Sequence, residues 1–165
     1  IKGKRALDIG SSTGGFAQIV LENGAASLAC VDVGSDQLHI SVRNDARVAV
    51  HEEMDIREFT AEEIFELITC DVSFISILQI IEDIDRLAGA GTDIVILYKP
   101  QFEVGREVKR DSRGVVQDLD AIARKKEAFA AQAQELGWEC RYEAPSKVAG
   151  KEGNVEYLYH FKKQN

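Results

Sequence analysis

Apolar and polar positions along this chain switch between two periods. Short runs of β-branched and apolar residues at about Arg5–Ile9, Ser27–Val33, Arg47–His51, Leu67–Val72, Asp93–Leu97, Glu139–Ala144 and Asn154–Phe161 have the length and composition of strands. The intervening stretches Gly15–Glu22, Gln37–Arg43, Ala61–Glu66, Ile75–Leu87 and Leu119–Leu136 read as helices. In the last of these, Ile122, Phe129, Ala133 and Leu136 make an apolar stripe, and Ala121, Lys125, Ala128, Gln132 and Glu135 share the opposite face. This alternation predicts an α/β domain: a doubly wound, Rossmann-like sheet of about seven strands with helices on both faces. Open sheets of that kind bind ligands outside the carboxyl ends of their strands, so the residues at those ends decide the chemistry.

Composition narrows the class further. The 165 residues, 45% hydrophobic and 29% charged, suffice for one globular domain with a core. A formal charge of −8 argues against a free-standing nucleic-acid binder, yet the charge is unevenly spread. Residues 1 to 97 carry 7 basic and 17 acidic side chains, and residues 98 to 165 carry 13 and 11, so a polyanion is expected to meet the second half. Cys30, Cys70 and Cys140 are odd in number and form no C-x-x-C pair, and His39, His51 and His160 are equally scattered. That spacing argues against a disulfide scaffold or a zinc site and for a reducing cytoplasm. No apolar stretch approaches the roughly 20 residues that cross a bilayer, so stable membrane insertion is not expected. The chain opens on Ile1, almost directly on a strand, and reads as a piece of a longer polypeptide.

The first strand ends in Asp8-Ile9-Gly10-Ser11-Ser12-Thr13-Gly14-Gly15-Phe16, a glycine-rich turn feeding a helix. Glycine permits positive φ and close approach of a ligand, and a helix N-terminus offers free N–H donors. The spacing is G-x-x-x-G-G, not the G-x-G-x-x-G of dinucleotide binders. An acid at Asp8 would repel a pyrophosphate and attract a cationic amino-acid group, which favours S-adenosylmethionine over NAD. Asp32, followed by Val33, closes the second strand, where a carboxylate can grip both ribose hydroxyls of an adenosine. Asp55 follows the third strand and could accept from an adenine amine. Both acids also fit plain roles as helix N-caps or solvated turn residues.

Asp71 ends the fourth strand and Lys99 the fifth, where Pro100 stops it. Those strands are expected to be neighbours, so acid and ammonium would face each other across one crevice, with an isolated structural ion pair as the competing reading. Glu156 lies near the start of the last strand. With that strand inserted antiparallel beside the fifth, Asp71, Lys99 and Glu156 align over three adjacent strands. Three ionisable groups at one cleft are costly to assemble for stability alone, which favours a functional site.

Six segments then resemble one family in the same order: Asp8 to Phe16, Asp32-Val33-Gly34 with Gln37-Leu38, Arg43-Asn44-Asp45-Ala46-Arg47-Val48, Asp71-Val72-Ser73-Phe74-Ile75-Ser76, Lys99-Pro100-Gln101-Phe102-Glu103 and Gly153-Asn154-Val155-Glu156. Over nearly the whole chain they resemble the TlyA family, often labelled hemolysin A, which belongs with the FtsJ-like ribose methyltransferases. The resemblance implies S-adenosylmethionine-dependent 2′-O-methylation, with ribosomal RNA or a ribosomal subunit, not DNA, as partner. It implies a Lys-Asp-Lys-Glu tetrad, three members of which map onto Asp71, Lys99 and Glu156. The first lysine belongs upstream of the glycine motif, and Lys2 and Lys4 do not replace it because they lie at the wrong end of the sheet. An amino-terminal S4-type RNA-binding domain is implied ahead of residues 1–165.

The cofactor-binding candidates are thus Asp8, Gly10, Ser11, Ser12, Thr13, Gly14, Gly15, Phe16, Asp32, Val33, Asp55 and Asp71. Lys99 would draw away the ribose hydroxyl proton as an amine or stabilise the developing alkoxide as an ammonium. Asp71 would orient Lys99 or the acceptor, Glu156 would position the ribose or hold the lysine, and no metal is required. The family more often has glycine at Asp36, Asn at Asp55 and a small aliphatic at Tyr98. RNA is expected at Arg106, Lys109, Arg110 and Arg113, within the long polar stretch Gln101–Asp118, and at Lys147 and Lys151. Glu103, Glu107 and Asp111 interleave with those bases, so a solvated loop competes with a binding surface, and a stretch of that length reads as a functional lid or as partly disordered. Phe16, Phe74, Phe102 and Trp138 are assigned to packing. A silent cofactor- or RNA-binding module and a membrane-active hemolysin are the rival functional classes.

Overall fold

The computed structural model describes residues 1–150 and 152–165. Along the chain run β1 (Arg5–Ile9), α1 (Gly15–Glu22), β2 (Ser27–Val31), α2 (Ile40–Arg43), β3 (Val48–His51), β4 (Phe65–Cys70), α3 (Ile81–Leu87), β5 (Ala88–Tyr98), α4 (Leu119–Glu135), β6 (Trp138–Pro145) and β7 (Tyr157–Lys163). The strands form one seven-stranded sheet in the order β3-β2-β1-β4-β5-β7-β6. All run parallel except β7, which lies antiparallel between β5 and β6. Strand order reverses between β1 and β4, the point where an open sheet of this class binds its ligand.

Side chains alternate across the sheet as period two requires. Ala6, Leu28 and Leu67 pack under α1 and α2, whereas Leu7, Ile9, Ile68, Ile94 and Ile96 pack under α3 and α4. At the β5–β7–β6 end the core is aromatic. Phe129 of α4 stacks on Tyr98 at 5.1 Å and meets Tyr159 and Phe161 edge-on at 5.0 and 5.6 Å. Such pairs combine large buried area with a preferred geometry, so α4 is fixed against the two strands that lead to Lys99 and Glu156. Trp138 is buried as assigned, and its Nε1–H donates to Asp85 at 2.8 Å.

Several expected elements fold differently. Ala61–Glu66 forms no helix: the chain bends there and enters β4 at Phe65. Arg5 supplies the reason. Its guanidinium takes the carbonyls of Glu63 and Ile64 at 2.7 and 3.2 Å and lies 4.3 Å over the Phe65 ring, so groups that would build helical rungs are claimed by β1. Ile75–Leu87 divides into a 3₁₀ turn at Ile77–Gln79 and the separate α3. There the Glu103 carboxylate accepts the Ile77 N–H at 2.8 Å and the Ser76 hydroxyl at 2.6 Å.

The last strand begins at Tyr157 because Asn154 is engaged elsewhere. Buried Asn154 accepts the Val116 N–H at 2.9 Å and donates to the Gly114 carbonyl at 3.4 Å. That clamp, with a small core of Val104, Val116 and Ala121, folds residues 101–118 onto the domain as an ordered loop. Ala121, expected on the polar face of α4, is buried for the same reason.

Candidate active site

At the rim where β1, β2, β3 and β4 end, the following loops enclose a cleft of about 560 Å³. Ile9, Gly10 and Ser12 form its wall after β1, Asp32, Val33, Gly34 and Gln37 after β2, Met54 to Arg57 after β3, and Asp71 to Ile75 after β4. Gly10 has φ +76°, and a methyl group there would collide with the carbonyl oxygen of Asp71. Only glycine lets these two loops close on each other. Asp32 accepts the Ser12 N–H at 2.6 Å and the Gly34 N–H at 2.8 Å, so it ties two loops together while facing the cleft. It is neither a helix cap nor a free turn acid.

Other members of the glycine motif serve the frame. Thr13, Gly14, Gly15 and Phe16 lie outside the residues that line this cleft. Gly14 (φ +106°) starts α1, and a Cβ there would press on Leu38 and Val42 at 3.1 and 3.2 Å. Ser11 is buried, and its hydroxyl donates to the Asp8 carbonyl at 3.0 Å. Asp8 itself lies beneath the loop, 1% exposed. Its Oδ1 accepts the Thr69 hydroxyl at 2.7 Å and its Oδ2 has no partner. Burial, opposed by the hydroxyls of Thr69 and Ser11 and reinforced by Asp71 and Asp32, pushes its carboxyl up to about 7.

Asp55 lines the cleft but is already engaged. Arg57 donates to it from Nε and Nη2 at 3.0 and 2.7 Å and holds its carboxyl below the usual range. Asp36 has φ +55°, the left-handed conformation that suits a glycine at that position.

Lys99 leaves β5 at the same rim. Its Nζ lies 2.5 Å from Asp71 Oδ1 and donates to the Ser73 hydroxyl at 3.0 Å. The lysine side chain is 12% exposed against 39% for Asp71, so the pair has one sheltered and one open end. Glu156 follows one position beyond the Tyr98–Tyr157 pair, which sets it beside Lys99 at this end of the sheet. Its buried carboxylate accepts the Gln101 side-chain N–H at 2.8 Å. The structure therefore joins Asp71 to Lys99 directly and brings Glu156 to the same rim through Gln101. Lys4 lies at the opposite end, bound to Asp93 at 2.5 Å.

Ser73, Gln101, Gln37 and Met54 were missed as site residues, although all but Met54 stand inside the quoted motifs. Phe74 was misassigned. It is 89% exposed with φ +66°, 5.0 Å from the half-buried Phe102, on the lip between the cleft and a second groove that Arg106 and Arg110 also line. Phe16 is half-buried. The Arg110 guanidinium donates to the Gln101 carbonyl at 3.1 Å, and Arg113 pairs with Asp111 at 3.4 Å. Lys109 and Lys147 are exposed, and Lys151 lies outside the described residues. Among the described residues no helix is long and apolar enough to cross a membrane.

Known proteins resemble this chain in sequence and fold. The 23S rRNA (cytidine-2′-O)-methyltransferase TlyA of Campylobacter jejuni is 50% identical over 161 residues, which cover 98% of this chain and 63% of the relative. The 16S/23S rRNA (cytidine-2′-O)-methyltransferase TlyA of Mycobacterium tuberculosis is 42% identical over 167 residues, covering 99% of this chain and 62% of that protein. The chain thus spans less than two thirds of the length of these relatives. A solved structure named as a hemolysin from Streptococcus thermophilus superposes with a TM-score of 0.92 at 34% identity, covering 100% of this chain and 61% of that one. Residues 1–163 match the FtsJ-like methyltransferase family, and with the 50% identity to the Campylobacter protein this shows that the chain belongs to it.

Proposed function

We propose that this chain is the catalytic domain of an S-adenosylmethionine-dependent ribose 2′-O-methyltransferase acting on cytidine in ribosomal RNA, working in the cytoplasm. An S4-type RNA-binding domain in the remaining length of such a protein is part of the same proposal. One observation carries it: the Lys99–Asp71 pair, 2.5 Å apart, borders an acidic cleft at the switch point of the sheet.

The residues present fit a cationic adenosyl donor. The cleft has a glycine cradle at Gly10, a carboxylate at Asp32 facing inward and an orphaned buried Asp8 Oδ2 beneath its loop. Among the described residues its one cationic wall residue, Arg57, is neutralised by Asp55. A pyrophosphate would find no free cation among the described residues of these walls. Met54, Ile56, Val72 and Ile75 offer apolar surface for a base.

Bound there, S-adenosylmethionine supplies an electrophilic methyl group. Asp32 holds the ribose hydroxyls of the donor. Asp71 and Ser73 select one position of the Lys99 amine, which acts on the proton of the acceptor hydroxyl or on the charge that develops as it leaves. Glu156, set by Gln101, positions the acceptor ribose. Phe74 presents an open ring face on which a base can stack, with Arg106 and Arg110 beside it for phosphates.

Full-length protein given labelled donor and ribosomal RNA is expected to methylate a ribose 2′-oxygen. Lys99→Ala should lower that rate by about 10²- to 10⁴-fold and leave the Kd for the donor unchanged by calorimetry. Binding of NAD in place of S-adenosylmethionine would overturn the reading.

A further inference from the structure

Asp8 is buried in the middle of the sheet, flanked in register by Cys30 of β2 and Thr69 of β4. The groups that face it are known from each side. Cys30 and Asp32 come from β2 and its loop, Thr69, Cys70 and Asp71 from β4 and its loop, and Ser11 from the turn above. None of these is a cation, and among the described residues the cations beside the cleft are committed, Lys99 to Asp71, Arg57 to Asp55 and Arg43 to Glu52. One carboxyl oxygen, Oδ2, is buried without a hydrogen-bond partner. A carboxylate left in that state is costly, and a carboxylic acid is much less so. Asp8 forms no wall of the cleft, but the next two residues, Ile9 and Gly10, do. Its charge therefore reaches a ligand through the field across the loop.

We propose that Asp8 discriminates the methyl donor from its demethylated product by exchanging its proton for the positive charge of the donor. This rests on the methyltransferase reading above. Donor and product share the adenosine and the zwitterionic amino-acid group, whose ammonium and carboxylate cancel in net charge, and differ by the sulfonium charge. When the donor binds, its sulfonium supplies a cation that the described residues around Asp8 do not, and Asp8 releases its proton to solvent. During transfer the acceptor oxygen forms a bond to the methyl carbon, the C–S bonding pair returns to sulfur, and the proton of the acceptor hydroxyl passes to solvent. The sulfur is then neutral, ionised Asp8 has lost its partner, and reprotonation from solvent restores the resting state. Asp8 is a specificity residue that never touches the reacting atoms. Burial already keeps its carboxyl protonated up to about 7, so the exchange falls in the range where cells work.

The test is calorimetry on full-length protein with S-adenosylmethionine and S-adenosylhomocysteine, at pH 6 and pH 8, each in two buffers of different ionisation enthalpy. The expected result is release of about one proton per donor bound at pH 6 and none per product. The preference for donor over product should rise by about tenfold between the two pH values. Asp8→Asn keeps the acceptor for Thr69 and should make that preference independent of pH. Because the variant could fail to fold, carboxyl ¹³C resonances of unaltered protein give a second measurement: the Asp8 signal should titrate near neutrality and move to its ionised position when donor is added. Donor binding without proton release, an Asp8 signal unmoved by donor, or pH dependence that survives in a folded Asp8→Asn protein would each overturn the inference and leave the methyltransferase reading intact. Failure of the donor to bind at either pH would overturn both.

Discussion

Each functional side chain at this rim is held by a neighbour on another loop. Lys99 and Asp71 could be found from sequence because strand ends are legible and a proline marks one of them. Ser73 and Gln101 could not, because their partners Lys99 and Glu156 are 26 and 55 residues away and no spacing encodes a turn between loops. Phe74 was misread because a lone aromatic after a strand resembles core, whereas it stands at positive φ with its ring exposed. Two expectations belong here. Phe74→Ala should raise KM for RNA about tenfold, the loss of one stacked base, while the donor Kd stays fixed in calorimetry. Gly10→Ala should abolish donor binding and lower Tm, since the added methyl meets the backbone of Asp71, which cannot move without disturbing Lys99.

Elements rather than residues determine how the loops reach the rim. The α4 helix was the most legible of them, because its apolar stripe has helical period and Asp118 caps it by accepting the Ala121 N–H at 2.9 Å. The segment 61–66 was the least legible, since its acids and alanine favour helix locally and only the distant Arg5 overrides them. Phe129→Ala should cost about 3–5 kcal/mol in denaturant unfolding, because one ring contacts Tyr98, Tyr159 and Phe161 together. Asn154→Ala should cost about 1–3 kcal/mol and expose residues 101–118 to protease, since it strands the Val116 N–H and frees a loop bearing four basic residues.

The molecule as a whole carries acids displaced in opposite directions, and this shapes its stability against pH. Asp8 in the folded state holds a proton up to about 7 that the unfolded chain, at 3.8, has already released. The folded state binds more protons between those values, so stability falls as pH rises through that window, by on the order of 4 kcal/mol in all. Glu103, raised by burial, acts in the same sense. Asp55, lowered by Arg57, and Asp93, where burial is outweighed by Lys4 and His160, act oppositely and lose their contribution as pH drops below about 4. Thermal unfolding of the ligand-free protein should therefore show highest Tm near pH 5, and Asp8→Asn should flatten the decline toward pH 7.

The strand order carries one more consequence. β7 is the last of the seven strands to leave the ribosome, yet its place is inside the sheet and it alone pairs with β6. A nascent chain that has emerged only through β6 possesses Asp71 and Lys99 but neither Glu156 nor a partner for β6. Completion of the sheet and completion of the proposed catalytic rim are therefore a single event in the synthesis of this protein, and no half-made chain can carry the three residues together.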